Sequence, residues 1–495
     1  MSYTELKKLF KEQSILSDIN GLLNWDMATY MPSNSRSQRV DQIKTIYEYK
    51  KRIFEIIKQK ELFKKISSLK LNKIDQQNLD LMQSKFNYFN WIPSKLIEKK
   101  TILSIECEGL WRQAREKNSF NVVKNKLYEL IRIVKEESEI LSQKKQINKY
   151  DSLLQKYDRS LNTKFLNKVF PEIEKFIKSN LKIIRNKQKH DVLLEPDEYL
   201  NESEQIKLSK IFMEKLGFDF SIGRIDKSLH PFCGRSSNDI RITTRFDEKN
   251  AFSCFDALMH ETGHAIYEQG LPETYMHQPV GSAGGMSLHE SQSLFIEMQL
   301  IKSKPASKYI EKVIRKDLKK NSDYWTCENI FSKRSKVEKS YIRVDADEVH
   351  YPLHIIHRFN IEIQIIENNQ DIRELPEIWN HEFEKIFNLR VPSDNLGCLQ
   401  DIHWYGGDFG YFPTYSIGAF IASQLKYAVK QDIPQMSSLI QKGEFNQIVS
   451  WLKKNVHQYG NLYEVNPLLK KITSKELDLC YFKKHIKERY INKKF

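Results

Sequence analysis

Across the first 220 residues, apolar positions recur three and four apart with charged residues between them. This spacing is typical of amphipathic helices. Residues 94–118 and 122–146 show it most clearly and predict two long helices, on a surface or in an antiparallel pair. Four prolines are expected to separate helices in this region: Pro32, Pro93, Pro171 and Pro196.

Near the middle of the chain the period changes. Residues 239–246, "DIRITTRF", alternate and are rich in Ile and Thr, which predicts a strand. The preceding residues 230–238, "HPFCGRSSN", predict a loop. Residues 250–270, "NAFSCFDALMHETGHAIYEQG", have the apolar spacing of a buried helix that ends at Gly270.

Helical patterns dominate the rest of the chain. A glycine-rich loop, "VGSAGGMS", precedes a helix predicted to start near Ser287, and helices resume from Asp323. A loop rich in aromatic residues and glycine interrupts them at residues 395–418. We find no repeat or low-complexity linker, so the chain is predicted to be mostly α, a single domain with a small sheet beside the central helix.

Composition narrows the class of protein. The chain has 495 residues, 40% of them hydrophobic, and a formal net charge of +15. A basic balance can indicate nucleic acid or acidic lipid as a partner, but the alternative is a generally Lys-rich composition, which we favour because no nucleic-acid motif is present. Six scattered cysteines without a CxxC pair predict free thiols in a reducing compartment. With no signal peptide and no membrane span, the expected location is the cytoplasm.

The helix at residues 250–270 carries an HExxH motif. His260 and His264 are one turn apart and can both ligate one cation, while Glu261 can take a proton from water. The alternative is a helix with two surface histidines. The metzincin pattern is excluded, because it needs Gly at position 267 and His at position 270, where this chain has Tyr267 and Gly270.

A catalytic zinc ion needs a third protein ligand and an open position for water. Glu290 on the following predicted helix is the best candidate, and Glu297 is the second choice. The alternative for Glu290 is a capping box with Ser287, since Ser-x-x-Glu is also a helix-start signal.

Five ordered stretches carry a resemblance: "HPF" with "DIRITT" (230–232 and 239–244), "HETGH" (260–264), "HESQ" (289–292), "IRVDAD" (342–347) and "GCLQDIHW" (397–404). "WDMATYMP" (25–32) and "FGYFPTY" (409–415) add to it. Together they resemble the carboxypeptidase Taq family, the thermostable-carboxypeptidase-type metallocarboxypeptidases built on HExxH. The resemblance covers nearly the whole chain, and ordered motifs are far more specific than HExxH alone.

The resemblance implies a mostly helical fold with a deep central active-site groove, formed by a single domain over residues 1–495, and a homodimer. It implies removal of single C-terminal residues from peptides with a free C-terminus, with C-terminal proline the usual exception. It implies one zinc ion per chain, with cobalt able to substitute, and no nucleic-acid or membrane partner is expected.

Carried over by position, the resemblance makes His260, His264 and Glu290 the metal ligands and Glu261 the general base. It places residues 239–246 as an edge strand over the cleft. We expect residues 1–220 to form a helical roof over the groove and residues 221–495 to carry the metal site. Such a roof would block a continuing chain and so favour an exopeptidase.

Recognition of a free carboxylate is best done by arginine. The candidates are Arg343, which the family motif marks, and Arg241; the alternative is a structural salt bridge with Asp347 or Asp239 as the partner. An oxyanion beside the metal needs a second electrophile. That role is predicted for His403, whose alternative is a core histidine bonded to the backbone, or for Tyr411 or Tyr415 of "FGYFPTY", which could instead belong to an aromatic core. His230 and His289 are candidates to contact the substrate or to support the metal ligands.

Two other functions remain open at this point. An HExxH endopeptidase or oligopeptidase would also be mostly helical with a deep channel, and it would release internal fragments instead of single residues. A non-catalytic nucleic-acid-binding protein would use the positive charge, and its function would survive Glu261→Gln.

Overall fold

The computed structural model describes residues 2–228, 232–236 and 238–492. The helices in chain order are α1 Ser2–Thr29, α2 Arg36–Gln59, α3 Leu62–Ile66, α4 Lys73–Trp91, α5 Ser94–Glu116, α6 Lys124–Lys145, α7 Lys149–Leu154, α8 Thr163–Gln188, α9 Glu202–Lys215, α10 Ala251–Gln269, α11 Met286–Leu294, α12 Lys304–Asp317, α13 Cys327–Arg334, α14 Tyr351–Ile366, α15 Leu375–Phe387, α16 Pro413–Asp432, α17 Met436–Lys442, α18 Asn446–Asn455, α19 Val465–Thr473 and α20 Cys480–Ile486. The strands are β1 Gly223–Lys227, β2 Phe232–Ser236 and β3 Asp239–Thr244. The predicted mostly α fold with a small sheet is confirmed.

The two long helices predicted from periodicity are α5 and α6, and they pack against each other. The prediction for Pro171 is wrong, because this proline lies inside α8. Pro171 is exposed, while the opposite face of α8 buries apolar side chains three and four residues apart. Each such burial stabilises the fold by about 1.5–3 kcal/mol, which together outweighs the roughly 3 kcal/mol that an internal proline costs.

The sheet has the strand order β1-β3-β2, with β1 parallel and β2 antiparallel to β3. The strand predicted at residues 239–246 is confirmed as β3, but its expected edge position is wrong, since β3 lies in the centre of the three strands. The loop predicted at residues 230–238 is also wrong in part, because residues 232–236 form β2. Phe232–Ser236 lacks an alternating apolar pattern and owes its strand to backbone pairing with β3.

The helix that carries HExxH is α10, which ends at Gly270 as predicted and packs against β3 and β2. The next predicted helix begins at Met286 as α11. The capping-box alternative for Glu290 is contradicted, because the N-cap of α11 is Gly285 and Ser287 already lies inside the helix. Directly after α11 the chain continues as a π-helix over Phe295–Ile301.

Buried apolar residues form two separate cores among the described residues. A small one joins α1–α4 and includes Leu6, Phe10, Ile57 and Met82. The large one begins at Ile92 and runs to the C-terminal helices. The expected division near residue 220 stays a prediction about roles; in the packing, α5–α9 share one core with the helices that follow.

Candidate active site

Two histidines and a glutamate from neighbouring helices converge on one point. His260 and His264 lie one turn apart on α10, and Glu290 lies on α11. Nε2 of His260 is 3.7 Å from Oε1 of Glu290, and Nε2 of His264 is 3.4 Å from Oε2. Two atoms that each lie about 2.0–2.1 Å from a tetrahedral ion would be about 3.3 Å apart. The spacing therefore fits two imidazoles and one carboxylate around a single cation.

Two glycines let these helices approach closely enough for that geometry. A Cβ added at Gly263, inside the HExxH motif, would lie 2.5 Å from Cα of Ser293 on α11. A Cβ added at Gly418 on α16 would lie 2.7 Å from Cγ of Glu290. Any larger residue would displace the backbone or the side chain that it meets, so Glu290 is clamped between α10 and α16.

The donor set itself favours a cation. Glu290 is almost fully buried, and its Oε1 has no hydrogen-bond partner among the described residues. Burial would raise the pKa of Glu290, but His260 and His264 lower it. Burial would lower the pKa of His260, yet Glu290 and Glu297 raise it to about 9. A buried carboxylate that lacks a donor is costly, and a metal ion would satisfy it.

Glu261 follows His260 directly and is buried on α10. Burial raises its pKa, which the charges of His260 and His264 oppose. A carboxylate whose pKa is raised towards neutrality is suited to accept and return a proton. Its place beside the three converging groups therefore suits a general base.

The two histidines are supported in different ways. Nδ1 of His260 lies 2.8 Å from Oε2 of Glu297, a residue of the π-helical segment. The ring of His264 instead stacks on His289, with centroids 4.5 Å apart, and His289 lies 2.8 Å from Glu268 through its Nε2. Nδ1 of His264 has no hydrogen-bond partner among the described residues. Glu297, the second choice for the third ligand, thus contacts the far nitrogen of His260.

A second group of charges lies around Asp401. Nε and Nη2 of Arg343 are 3.0 and 2.8 Å from Oδ1 of Asp401, and Nε of Arg358 is 2.6 Å from Oδ2. The guanidinium carbon of Arg343 also lies 4.7 Å from the ring centroid of Tyr415. Burial alone would raise the pKa of Asp401, but the two arginines lower it strongly. Two guanidinium groups thus share one carboxylate, which leaves a net positive charge.

His403, Tyr411 and Tyr415 lie together next to these arginines. Nε2 of His403 is 3.1 Å from the hydroxyl of Tyr415, and the rings of His403 and Tyr411 are 5.2 Å apart. Burial lowers the pKa of His403 to about 4, so at neutral pH the imidazole is uncharged. Burial raises the pKa of Tyr411, and the neighbouring Tyr415 and Glu290 raise it further. All three groups can therefore donate hydrogen bonds, and each lies near enough to Glu290 for its charge to affect their pKa values.

The segment that holds His403 and Tyr411 is held in place by hydrogen bonds to a fully buried carboxylate, that of Glu362. Glu362 on α14 accepts hydrogen bonds from Trp404 Nε1 at 2.7 Å, Tyr150 Oη at 2.6 Å and Gly410 N at 3.2 Å. Trp404 follows His403, and Gly410 precedes Tyr411. Burial raises the pKa of Glu362 to about 7 against the effect of these donors.

The other predicted residues lie further out or outside the described part. Nε and Nη2 of Arg241 on β3 are 2.8 and 2.6 Å from the two oxygens of Asp239, and the guanidinium lies 4.6 Å from the centroid of Trp25. His230 lies outside the described residues. The role of each predicted site residue stays a prediction.

Several residues of the site escaped the sequence reasoning. Asp401 lies within the "GCLQDIHW" motif, which could have drawn attention to it. No local pattern distinguishes the others, which are Lys302, Arg358 and Glu362.

A cavity of about 1610 Å³ opens between the N-terminal helices and the loop that joins α10 to α11. Its lining includes Trp25 of α1, Tyr157, Glu268 and Leu288. The three converging ligands are not part of this lining, but Glu268 lies one turn after His264 on α10. The ring of Tyr157, which lines the cavity, is 5.0 Å from that of Tyr411, which does not line it. Among the described residues, no helix is both long and apolar enough to cross a bilayer.

Comparison with known proteins gives a consistent result over the whole chain. A model of the carboxypeptidase Taq (M32) metallopeptidase family matches residues 5–490. Carboxypeptidase 1 of Bacillus subtilis is 31% identical over 496 residues, which cover 99% of this chain and 98% of that protein. Thermostable carboxypeptidase 1 of Pyrococcus furiosus is 31% identical over 95% of this chain and 94% of its own length.

The fold is similar to solved structures as well. The structure of Trypanosoma cruzi metallocarboxypeptidase 1 superposes with a TM-score of 0.93 at 31% identity, covering 99% of each chain.

Proposed function

Because this chain belongs to the carboxypeptidase Taq (M32) family of metallopeptidases, it is a metallocarboxypeptidase, and we propose that it is a zinc enzyme that releases single residues from the free C-terminus of peptides. The observation that carries the proposal is the convergence of His260, His264 and Glu290, with the buried Glu261 beside them. Cobalt is expected to replace zinc.

His260, His264 and Glu290 would hold the ion. An ion bound there lowers the pKa of water towards about 7 and polarises a carbonyl group. Glu261 removes the proton from the attacking water and later donates it to the leaving amine. Its burial, which raises its pKa, supports both steps.

We propose that Arg343 binds the C-terminal carboxylate of the peptide. Asp401 contacts Nε and Nη2 of Arg343, and Nη1 has no partner among the described residues. Because Arg343 and Arg358 share one aspartate, the pair has a positive charge left to attract an anion. The pairing with Asp401 holds the guanidinium in a fixed direction. Arg241 is the weaker candidate, since the family motif marks Arg343 and since Arg343 shares its carboxylate partner with a second arginine, Arg358.

His403 and Tyr411 are proposed to donate hydrogen bonds to the oxyanion, with Tyr415 orienting His403. The peptide would approach through the cavity, where helices from the first 220 residues would roof the groove and block a longer chain. A homodimer and the exception of C-terminal proline remain predictions from the family resemblance. A cytoplasmic location and a subsite role for His230 remain predictions from the sequence.

One assay tests the proposal. A free-acid peptide and its C-terminally amidated twin are incubated with metal-loaded protein, chelator-treated protein and Glu261→Gln, and products are followed by mass spectrometry. We expect stepwise loss of C-terminal residues only from the free acid and only with the metal-loaded protein. General-base removal should reduce the rate by about 10²–10⁴-fold.

Glu311→Gln serves as the control, because Glu311 is a partly buried carboxylate on α12 that contacts Arg315 and the backbone N–H of Cys327 and does not line the cavity. Internal fragments, or equal cleavage of the amidated peptide, would favour the oligopeptidase alternative over the proposal.

A further inference from the structure

The π-helical segment after α11 brings together two residues that an α-helix would keep apart. The backbone N–H of Lys302 donates to the carbonyl of Glu297, five residues earlier, at 2.9 Å. Residues five apart on an α-helix point about 140° away from each other. Here Nζ of Lys302 lies 2.8 Å from Oε1 of Glu297. Short π-helical segments are rare and frequently lie at functional sites.

The second oxygen of the same carboxylate contacts a candidate metal ligand. Oε2 of Glu297 is 2.8 Å from Nδ1 of His260. Each carboxylate oxygen of Glu297 thus has one donor, Lys302 on one side and His260 on the other. With its proton on Nδ1, the imidazole has its lone pair on Nε2, the atom that faces Glu290.

Lys302 is itself fixed by α10. Its Nζ lies 3.8 Å from Asp256, which is one turn before His260 on that helix. Asp256 also pairs with Arg334 of α13, whose Nη1 donates to the carbonyl of Ile301 at 2.9 Å. The contacts form a closed ring from His260 through Glu297, Lys302 and Asp256 back to α10.

We propose that Glu297 is a positioning residue that orients His260 for metal binding. Lys302, placed by the π-helical turn, holds one carboxylate oxygen of Glu297 so that the other faces His260. His264 has no equivalent support, because its Nδ1 has no partner among the described residues and its ring is held by stacking on His289. The two imidazoles are therefore unequal ligands, and His260 is the one set by a carboxylate. This inference rests on the proposed metal site.

The test uses metal affinity instead of activity. Glutamine at position 297 has one oxygen and one NH₂ group, so it can no longer accept from both His260 and Lys302. We expect Glu297→Gln to weaken Co²⁺ binding about 10–100-fold, measured by competition with a chromogenic chelator. The visible spectrum of the Co²⁺-loaded protein should shift, because the ring of His260 is no longer fixed. Lys302→Gln should change both quantities in the same direction.

Glu311→Gln is the control, since that partly buried carboxylate on α12 contacts Arg315 and the backbone N–H of Cys327 and none of the proposed ligands. Its Co²⁺ affinity should stay close to that of the unmodified protein. Thermal melting of each metal-free variant checks that it folds. If Glu297→Gln does not fold, Lys302→Gln still tests the contact between Lys302 and Glu297.

Unchanged affinity and an unchanged spectrum in Glu297→Gln would overturn the inference, as would an equal loss in Glu311→Gln. If the unmodified protein bound no Co²⁺ at all, the proposed metal site would fail first, so the two failures are distinguishable.

Discussion

The active-site region has two sides built in opposite ways. The metal side consists of α10, α11 and the π-helical segment, so all its charged groups come from residues 256–302. The arginine side combines the turn at residues 342–347, α14 and residues 397–415. On the metal side the carboxylates Glu261, Glu290 and Glu297 converge, whereas on the arginine side two guanidinium groups share Asp401.

Because of this difference, one site can offer separate places to a positively charged and a negatively charged ligand. Each side has one atom for which no hydrogen bond is found among the described residues: Oε1 of Glu290 on the metal side and Nη1 of Arg343 on the arginine side. Under the proposed function, a cation binds at the first and a peptide carboxylate at the second. The two sides should therefore fail independently when their residues are changed.

The largest expected effect is on the metal side. Glu290→Gln removes the anionic ligand, so we expect the bound ion to be lost and peptide hydrolysis to fall to that of chelator-treated protein. Metal per chain after desalting, measured by elemental analysis together with the rate, checks this. Full metal content and full activity in the variant would contradict the assignment of Glu290.

A change on the arginine side should leave the ion in place. Arg343→Lys replaces a planar fork by a single ammonium group, which cannot pair with Asp401 and the peptide together. We expect kcat/KM to fall by an amount that corresponds to about 2–5 kcal/mol of lost transition-state stabilisation, with unchanged metal content. Steady-state kinetics on a free-acid peptide give the result. Loss of metal in this variant would show that the two sides are not independent.

A third test uses the pH dependence of stability on the arginine side. The folded-state pKa of Glu362 is raised to about 7, so its contribution to stability is complete below about pH 4.5 and is lost as the pH rises through 7. We expect the unfolding free energy of the unmodified protein to fall relative to Glu362→Gln by up to about 3 kcal/mol between these pH values. Urea unfolding at several pH values measures it, and parallel curves for the two proteins would refute it.

The smallest effect is expected at Arg241. Its ion pair with Asp239 is partly exposed and local, so Arg241→Gln should change kcat/KM by less than about 1 kcal/mol. The same kinetic assay compares it with Arg343→Lys. If Arg241→Gln had the larger effect on kcat/KM, Arg241 would be the better candidate for the carboxylate site.

The metal side could be predicted from sequence because its chemistry is local. His260 and His264 share a helical face at a fixed spacing, and Glu290 lies on the next helix. The fold class and β3 followed from periodicity in the same way. The capping alternative for Glu290 could not be excluded from sequence, because only the observed start of α11 at Met286 places Ser287 inside the helix.

The arginine side could be predicted only in part. Arg343 and His403 lie in recognisable motifs, but the pairing of Arg343 and Arg358 with Asp401 joins segments over forty residues apart and has no periodic signal. The central place of β3 depends on pairing with β1 and β2, which periodicity does not encode. No sequence pattern predicts the π-helical turn, so the contact of Lys302 with Glu297 could not be predicted either.

The glycine inside the HExxH motif has a consequence for protein engineering. Replacing a mid-helix glycine by alanine ordinarily improves helix propensity by about 1 kcal/mol, which makes such positions attractive for thermostabilisation. At Gly263 the new methyl group would collide with the backbone of Ser293, 2.5 Å away. A stabilising library should therefore exclude this position, since the substitution would force α10, which carries His260 and His264, away from α11, which carries Glu290.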